Sequence, residues 1–111
     1  MKRNYILLVI LLMASLAINA QEKYNTNIVN KANAYIEYTA GNISLSAEEK
    51  VKLFDIKCEH TSQFFQVSAE FKDKPELDEK RKEVNLIYQK SVIAAFGRER
   101  ALEIFKAARP K

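Results

Sequence analysis

The chain has 111 residues, 48% of them hydrophobic, with 18 Lys and Arg against 14 Asp and Glu and a formal charge of +4. This length holds one small domain, and the scattered, modest charge lacks the clustered basic face expected of a nucleic-acid binder. A single cysteine excludes an internal disulfide.

Residues 1–20 read as a signal peptide rather than as part of the fold. Lys2 and Arg3 make a basic start, Ile6 to Ile18 is almost wholly apolar, and Ile18-Asn19-Ala20 before Gln21 has the form of a small-residue cleavage site. The apolar run falls short of the ~20 residues of a comfortable span, which disfavours the alternative of an uncleaved anchor. No Cys stands at the cleavage point for lipid attachment. The expectation is a periplasmic or secreted protein without a lipobox, touching membrane only through the signal segment before cleavage. Without Lys2 and Arg3 the charge of residues 21–111 falls to +2.

Those residues carry helical patterns and no strand signal. The expected fold is all-α, a small bundle or hairpin of three to four helices at about 25–40, 46–72, 75–96 and 98–108. In the first, Ile28, Ala32, Tyr35, Ile36 and Thr39 share a face, Asn25 or Thr26 can cap, and Gly41 suits a left-handed position just past the end. The central helix opens with Leu45-Ser46-Ala47-Glu48-Glu49. Ser46 and Glu49 form the capping-box pattern, so Leu45, Ser46 and Glu49 are structural in this reading. At ~100° per residue, Val51, Phe54, Cys58 and Phe65 make one stripe. Leu53, His60, Phe64, Val67 and Phe71 make a second, with Lys57, Thr61 and Ser68 between. The apolar arc is about twice the ~100° needed for one neighbour, so this helix should touch two partners: two helices of its own chain, or one helix and something external.

Pro75 suits the first position of the third helix. Leu77, Val84, Ile87, Tyr88, Ser91, Ala94 and Ala95 make its core face, and Leu86 and Ile93 stand opposite as contacts to another helix or as an exposed ridge. Gly97 breaks the chain, the last helix uses Ala101, Leu102, Phe105 and Ala108, and Arg109-Pro110-Lys111 should fray.

Catalytic chemistry finds little material. Cys58 and His60 are two apart on one helix and point away from each other, there is no second His and no Gly-rich phosphate loop, and Glu48–Glu49 are cap residues. The chain is not expected to be an enzyme, and no cofactor is implied. Cys58-Glu59-His60 offers soft or borderline ligands, but a metal site needs three or four, so no metal site is assigned. On its apolar stripe Cys58 should be buried rather than bridge a dimer.

Leu45-Ser46-Ala47-Glu48-Glu49…Leu53-Phe54 is echoed by Phe96-Gly97-Arg98-Glu99-Arg100…Ile104-Phe105. Over about residues 42–108 the chain resembles the Spy/CpxP-like family of small exported helical proteins, which carries an LTxxQ motif at two helix starts. Here Ser stands for Thr and Glu49 for Gln at the first, and Arg100 stands at the Gln position of the second. The resemblance implies a cradle-shaped homodimer in the periplasm that acts as an ATP-independent chaperone or envelope-stress regulator, with some relatives sensing metal.

The resulting expectation is an exported, non-enzymatic binding protein that holds protein clients on an apolar stripe through Phe54, Phe64, Phe65, Leu86 and Ile93, without nucleic acid. The rival expectations are a dedicated interaction or inhibitor module for one envelope protein, and a metal-responsive protein.

Overall fold

A computed structural model of the chain describes residues 23–110. The signal-peptide expectation for residues 1–20 lies outside them. Four helices follow one another: α1 (Thr26–Asn42), α2 (Ala47–Glu70), α3 (Leu77–Phe96) and α4 (Arg98–Ala108), with no strand among the described residues. The all-α expectation is thus met with four helices.

Each helix boundary has a local cause. Asn25 caps α1 by accepting the Ile28 amide at 3.0 Å. The capping box of α2 forms in full, the Glu49 amide donating to Ser46 Oγ at 3.1 Å and the Ser46 amide to Glu49 Oε1 at 3.0 Å. α2 stops at Glu70, and Asp73, with φ of 62°, turns the chain. Asp is among the few non-glycine residues that tolerate this left-handed geometry.

Two boundaries depart from expectation. Gly41 is not the residue that ends α1. It is helical, and Ile43 ends the helix in an extended conformation, its amide bonded to Thr39 O and its side chain packed on the core. Burying Ile43 therefore turns the chain, and no left-handed residue is needed. Pro75 lies before α3 rather than in its first turn. A Lys74–Leu77 turn intervenes, the Leu77 amide bonding Lys74 O at 3.2 Å, and Glu76 caps with its backbone alone.

α2 is the centre of the fold. It packs against α1 on one side and α3 on the other, while α4 folds back over α3 and α1. The wide apolar arc is occupied by two helices of its own chain. One core cluster joins Ile36, Leu45, Leu53, Tyr88, Val92, Ala101 and Ile104, drawing on all four helices. A second joins Tyr24, Ile28, Val29 and Ala32 to Cys58, and Phe54 packs against both. Leu53, Cys58, Val92 and Ile104 are fully buried, and truncating a side chain such as Leu53 to Ala costs about 2–5 kcal/mol.

The faces of α3 and α4 are rotated from those the spacing suggests. Val84, Tyr88 and Val92 are buried on α3, whereas Ile87 is 51% exposed and Ala94 and Ala95 face water. On α4, Ala101, Ile104 and Ala107 are buried and Leu102 is 58% exposed. The small residues at 101 and 107 let α4 approach closely, so Ile104 fills the core and Leu102 is carried outward.

The end of α4 is tied down rather than frayed at Arg109. Asn42 Nδ2 donates to Ala107 O (2.9 Å) and the Tyr38 hydroxyl to Arg109 O (3.1 Å), satisfying C-terminal carbonyls that the helix leaves open. Its other end is fixed by Arg100, whose Nε and Nη2 bond the two Glu49 carboxylate oxygens at 2.8 and 3.0 Å. Nη2 also reaches Ser44 O at 2.6 Å, and Nη1 bonds Glu103 at 2.8 Å.

Candidate functional site

Two features gather side chains with chemical potential: a half-buried lysine under an aromatic cover, and an open groove beside it.

Lys57 lies at the junction of α1, α2 and α3. Its ammonium sits 4.1 Å from the ring centre of Tyr35 on α1 and 4.9 Å from that of Tyr88 on α3. The two rings meet edge-to-face at 6.1 Å, and their hydroxyls hydrogen-bond to each other. No carboxylate pairs with Lys57 among the described residues. Burial pushes its pKa down to about 8, and the ring faces compensate part of the lost hydration, a desolvated cation–π contact being worth roughly 2 kcal/mol or more.

The ammonium lies 3.1 Å from His60 Nδ1. An ammonium only donates, so Nδ1 accepts, and Nε2 carries the proton it donates to Asn85 Oδ1 at 2.9 Å. His60 also stacks on Tyr88, ring centres 4.5 Å apart. Burial lowers its pKa first, the Lys57 charge lowers it further, and the Asn85 bond opposes both. The only histidine is thereby held neutral with both nitrogens engaged. Cys58 is fully buried, and burial with the nearby Asp55 and Glu59 charges raises its thiol to about 11. The Cys58-Glu59-His60 run does not converge, and no group of three His, Cys, Asp or Glu side chains among the described residues is placed to hold a metal ion.

The groove lies between α3 and α4, is open to solvent, and encloses about 890 Å³. Tyr88 and Phe105, ring centres 6.1 Å apart, line it with Ile93 and Leu102; Tyr35 of α1 and His60 of α2 reach it as well. Arg98, Lys106 and Arg109 also line it, and none of its lining residues is acidic. These three cations make no ion pair among the described residues. Glu103, beside Lys106 in a neighbouring depression, is held by Arg100. A smaller depression of about 310 Å³ between α2 and α3 is lined by Ile56 and Ile87 with Asp55 and Glu59. There the Tyr24 hydroxyl donates to Glu59 at 2.5 Å.

The five expected partner-binding residues do not form one stripe. Phe54 is half-buried against both core clusters. Phe64 is half-buried under the Arg81 guanidinium at 5.3 Å, and Phe65 is 37% exposed with the Lys31 ammonium 5.5 Å from its ring. Both belong to the outer half of α2. Leu86 is exposed on α3 and lines none of these depressions. Only Ile93 reaches the groove. Leu102, its most exposed apolar residue, escaped sequence reasoning because heptad-like spacing placed it on the core face with Phe105. Leu45, Ser46 and Glu49 have the structural roles described for them.

The described residues form an all-α bundle with an open groove lined by apolar, aromatic and basic side chains. No protein-family model, no curated protein and no solved structure matches the chain.

Proposed function

We propose that this chain is a non-enzymatic binding protein that works outside the cytoplasm and holds apolar protein segments without ATP, in the manner of a periplasmic chaperone. One observation supports this above others: Ile93 and Leu102 are exposed in a groove that they line together with the aromatic rings of Tyr88 and Phe105 and the cations Arg98, Lys106 and Arg109, beside Asn85 and Gln89. Exposed apolar residues gathered in one concave place, with a polar rim, mark an interaction site more than scattered ones do. The neutral, fully engaged His60 and the buried, high-pKa Cys58 point away from nucleophilic or acid–base chemistry. The basic, apolar and small-residue order of residues 1–20 supports export, and the paired helix starts at Leu45 and Phe96 support the kinship with small exported chaperones.

The test is an aggregation assay. The purified protein should slow light scattering by a chemically reduced client in the absence of ATP, and Leu102→Asp should weaken that protection. Absence of protection at stoichiometric excess ends the proposal.

A further inference from the structure

We infer that the α3–α4 groove accepts an amphipathic helix of a partner protein whose apolar stripe is flanked by acidic residues. The inference rests on the binding function proposed above and names the class of segment that the groove selects.

The chemistry follows from three observations. First, the lining combines apolar side chains with cations and holds no acid. Ile93, Leu102 and Phe105 offer contact to an apolar stripe, while Arg98, Lys106 and Arg109 stand without carboxylate partners among the described residues. Complementary charge across such a surface favours an anionic partner and disfavours a cationic one. It also disfavours this chain's own apolar leader, which carries Lys2 and Arg3 and no acid. Second, the walls are helices, whose backbone groups are already paired along α3 and α4. An extended segment would bring unpaired amides and carbonyls with no sheet edge to receive them, whereas a helix satisfies its own backbone and needs only side-chain contact. Third, the groove is open. Small apolar ligands bind where most of their surface is enclosed, so a lipid chain laid here would stay half in water. An amphipathic helix turns its polar side to the water instead.

Three fluorescein-labelled peptides decide the matter by anisotropy with the purified protein. One is a helix with a Leu stripe flanked by Glu, the second has Lys in place of every Glu, and the third scrambles the first so that no stripe forms. The Glu helix should bind at least about tenfold more tightly than either control, and its affinity should fall as salt is raised. The triple variant Arg98→Gln/Lys106→Gln/Arg109→Gln should lose about tenfold for the Glu helix. All three residues are exposed at the surface, and circular dichroism confirms that the variant folds. Equal binding of the Glu and Lys helices, equal binding of the scrambled peptide, or an unaffected triple variant overturns the inference. So does light scattering that shows two copies joined through this groove and separated by the triple substitution. If the protein still protects aggregating clients while showing no preference for the Glu helix, this inference alone falls. If neither protection nor peptide binding is seen, the broader function falls with it.

Discussion

At the scale of single residues, Lys57 and His60 make the most testable arrangement. A cation without a carboxylate, donating to a neutral imidazole, constrains that imidazole in one direction. Protonating His60 destroys the acceptor at Nδ1 and sets two positive charges 3.1 Å apart beneath Tyr35 and Tyr88. The folded-state pKa of His60 therefore lies below its ordinary value of 6.5. A group with a depressed folded pKa favours folding above its unfolded pKa, and that contribution is lost as pH falls through the folded value. Stability should thus drop as pH falls below 6.5. Because the chain has one histidine, its imidazole Cε1–H resonance can be followed by NMR without assignment. It should titrate below 6.5, and Lys57→Met should move the midpoint upward. Titration at or above 6.5 in the unsubstituted protein would refute the tautomer and the contact together. Lys57 itself was placed between two stripes from spacing alone, and nothing in the sequence marked it as caged. The cage needs Tyr35 and Tyr88, which come from different helices and meet only in the folded chain.

At the scale of elements, the helix starts were the most legible part of the sequence, and the helix faces were less so. Ser46 and Glu49 announce the start of α2 because capping is a local, short-range chemistry. The rotation of α3 and α4 depends instead on how small residues dock, and periodicity does not report that. The echo between Leu45–Glu49 and Phe96–Arg100 acquires a physical meaning here. Glu49 and Arg100 occupy equivalent positions in the two helix starts and form a two-pronged ion pair with each other. Arg100 is the first cause that pulls the Glu49 carboxyl down to about 2, followed by the Ser46 amide. Within the second start Gly97 makes the whole connection of α3 to α4, at φ 82° and ψ 158°. That region is essentially closed to residues with a Cβ, and occupying it costs about 1–3 kcal/mol. No atom lies within 4 Å of a Cβ built there, so the penalty of Gly97→Ala is conformational rather than steric. Urea unfolding should show a loss of about 1–3 kcal/mol for Gly97→Ala, against a change of the opposite sign or near zero for Gly41→Ala, which sits in helical backbone in open space. An equal loss at both glycines would contradict the described turn.

At the scale of the whole molecule, burial is unevenly distributed along the α2–α3 hairpin. Thr61 is the last buried residue of α2 and Val84 the first of α3. Between them no residue is buried. This outer arm is held by half-buried Phe64, Val67, Phe71 and Leu77. Lys74 and Lys80 lie over the Phe71 ring at 5.7 and 5.5 Å, and Arg81 lies over Phe64. At exposed sites such cation–π contacts are worth only about 0.5–1 kcal/mol each. The base of the hairpin, by contrast, is locked by Leu53 and Val92 in one core cluster and Cys58 in the other. Local opening is cheapest where few apolar contacts are buried, so the arm should open without the base. Native-state hydrogen exchange should give residues 64–82 a lower opening free energy than residues 53–58, 88–92 and 101–104. Phe64→Ala should lower it further in the arm while leaving the base protected. Opening would also uncover Phe64 and Phe71, so an added apolar peptide that contacts them should slow exchange in the arm and leave the base unchanged. Uniform protection along α2 would mean that the arm belongs to the same cooperative unit as the core, and the covered faces of Phe64 and Phe71 would then be uncovered only by global unfolding.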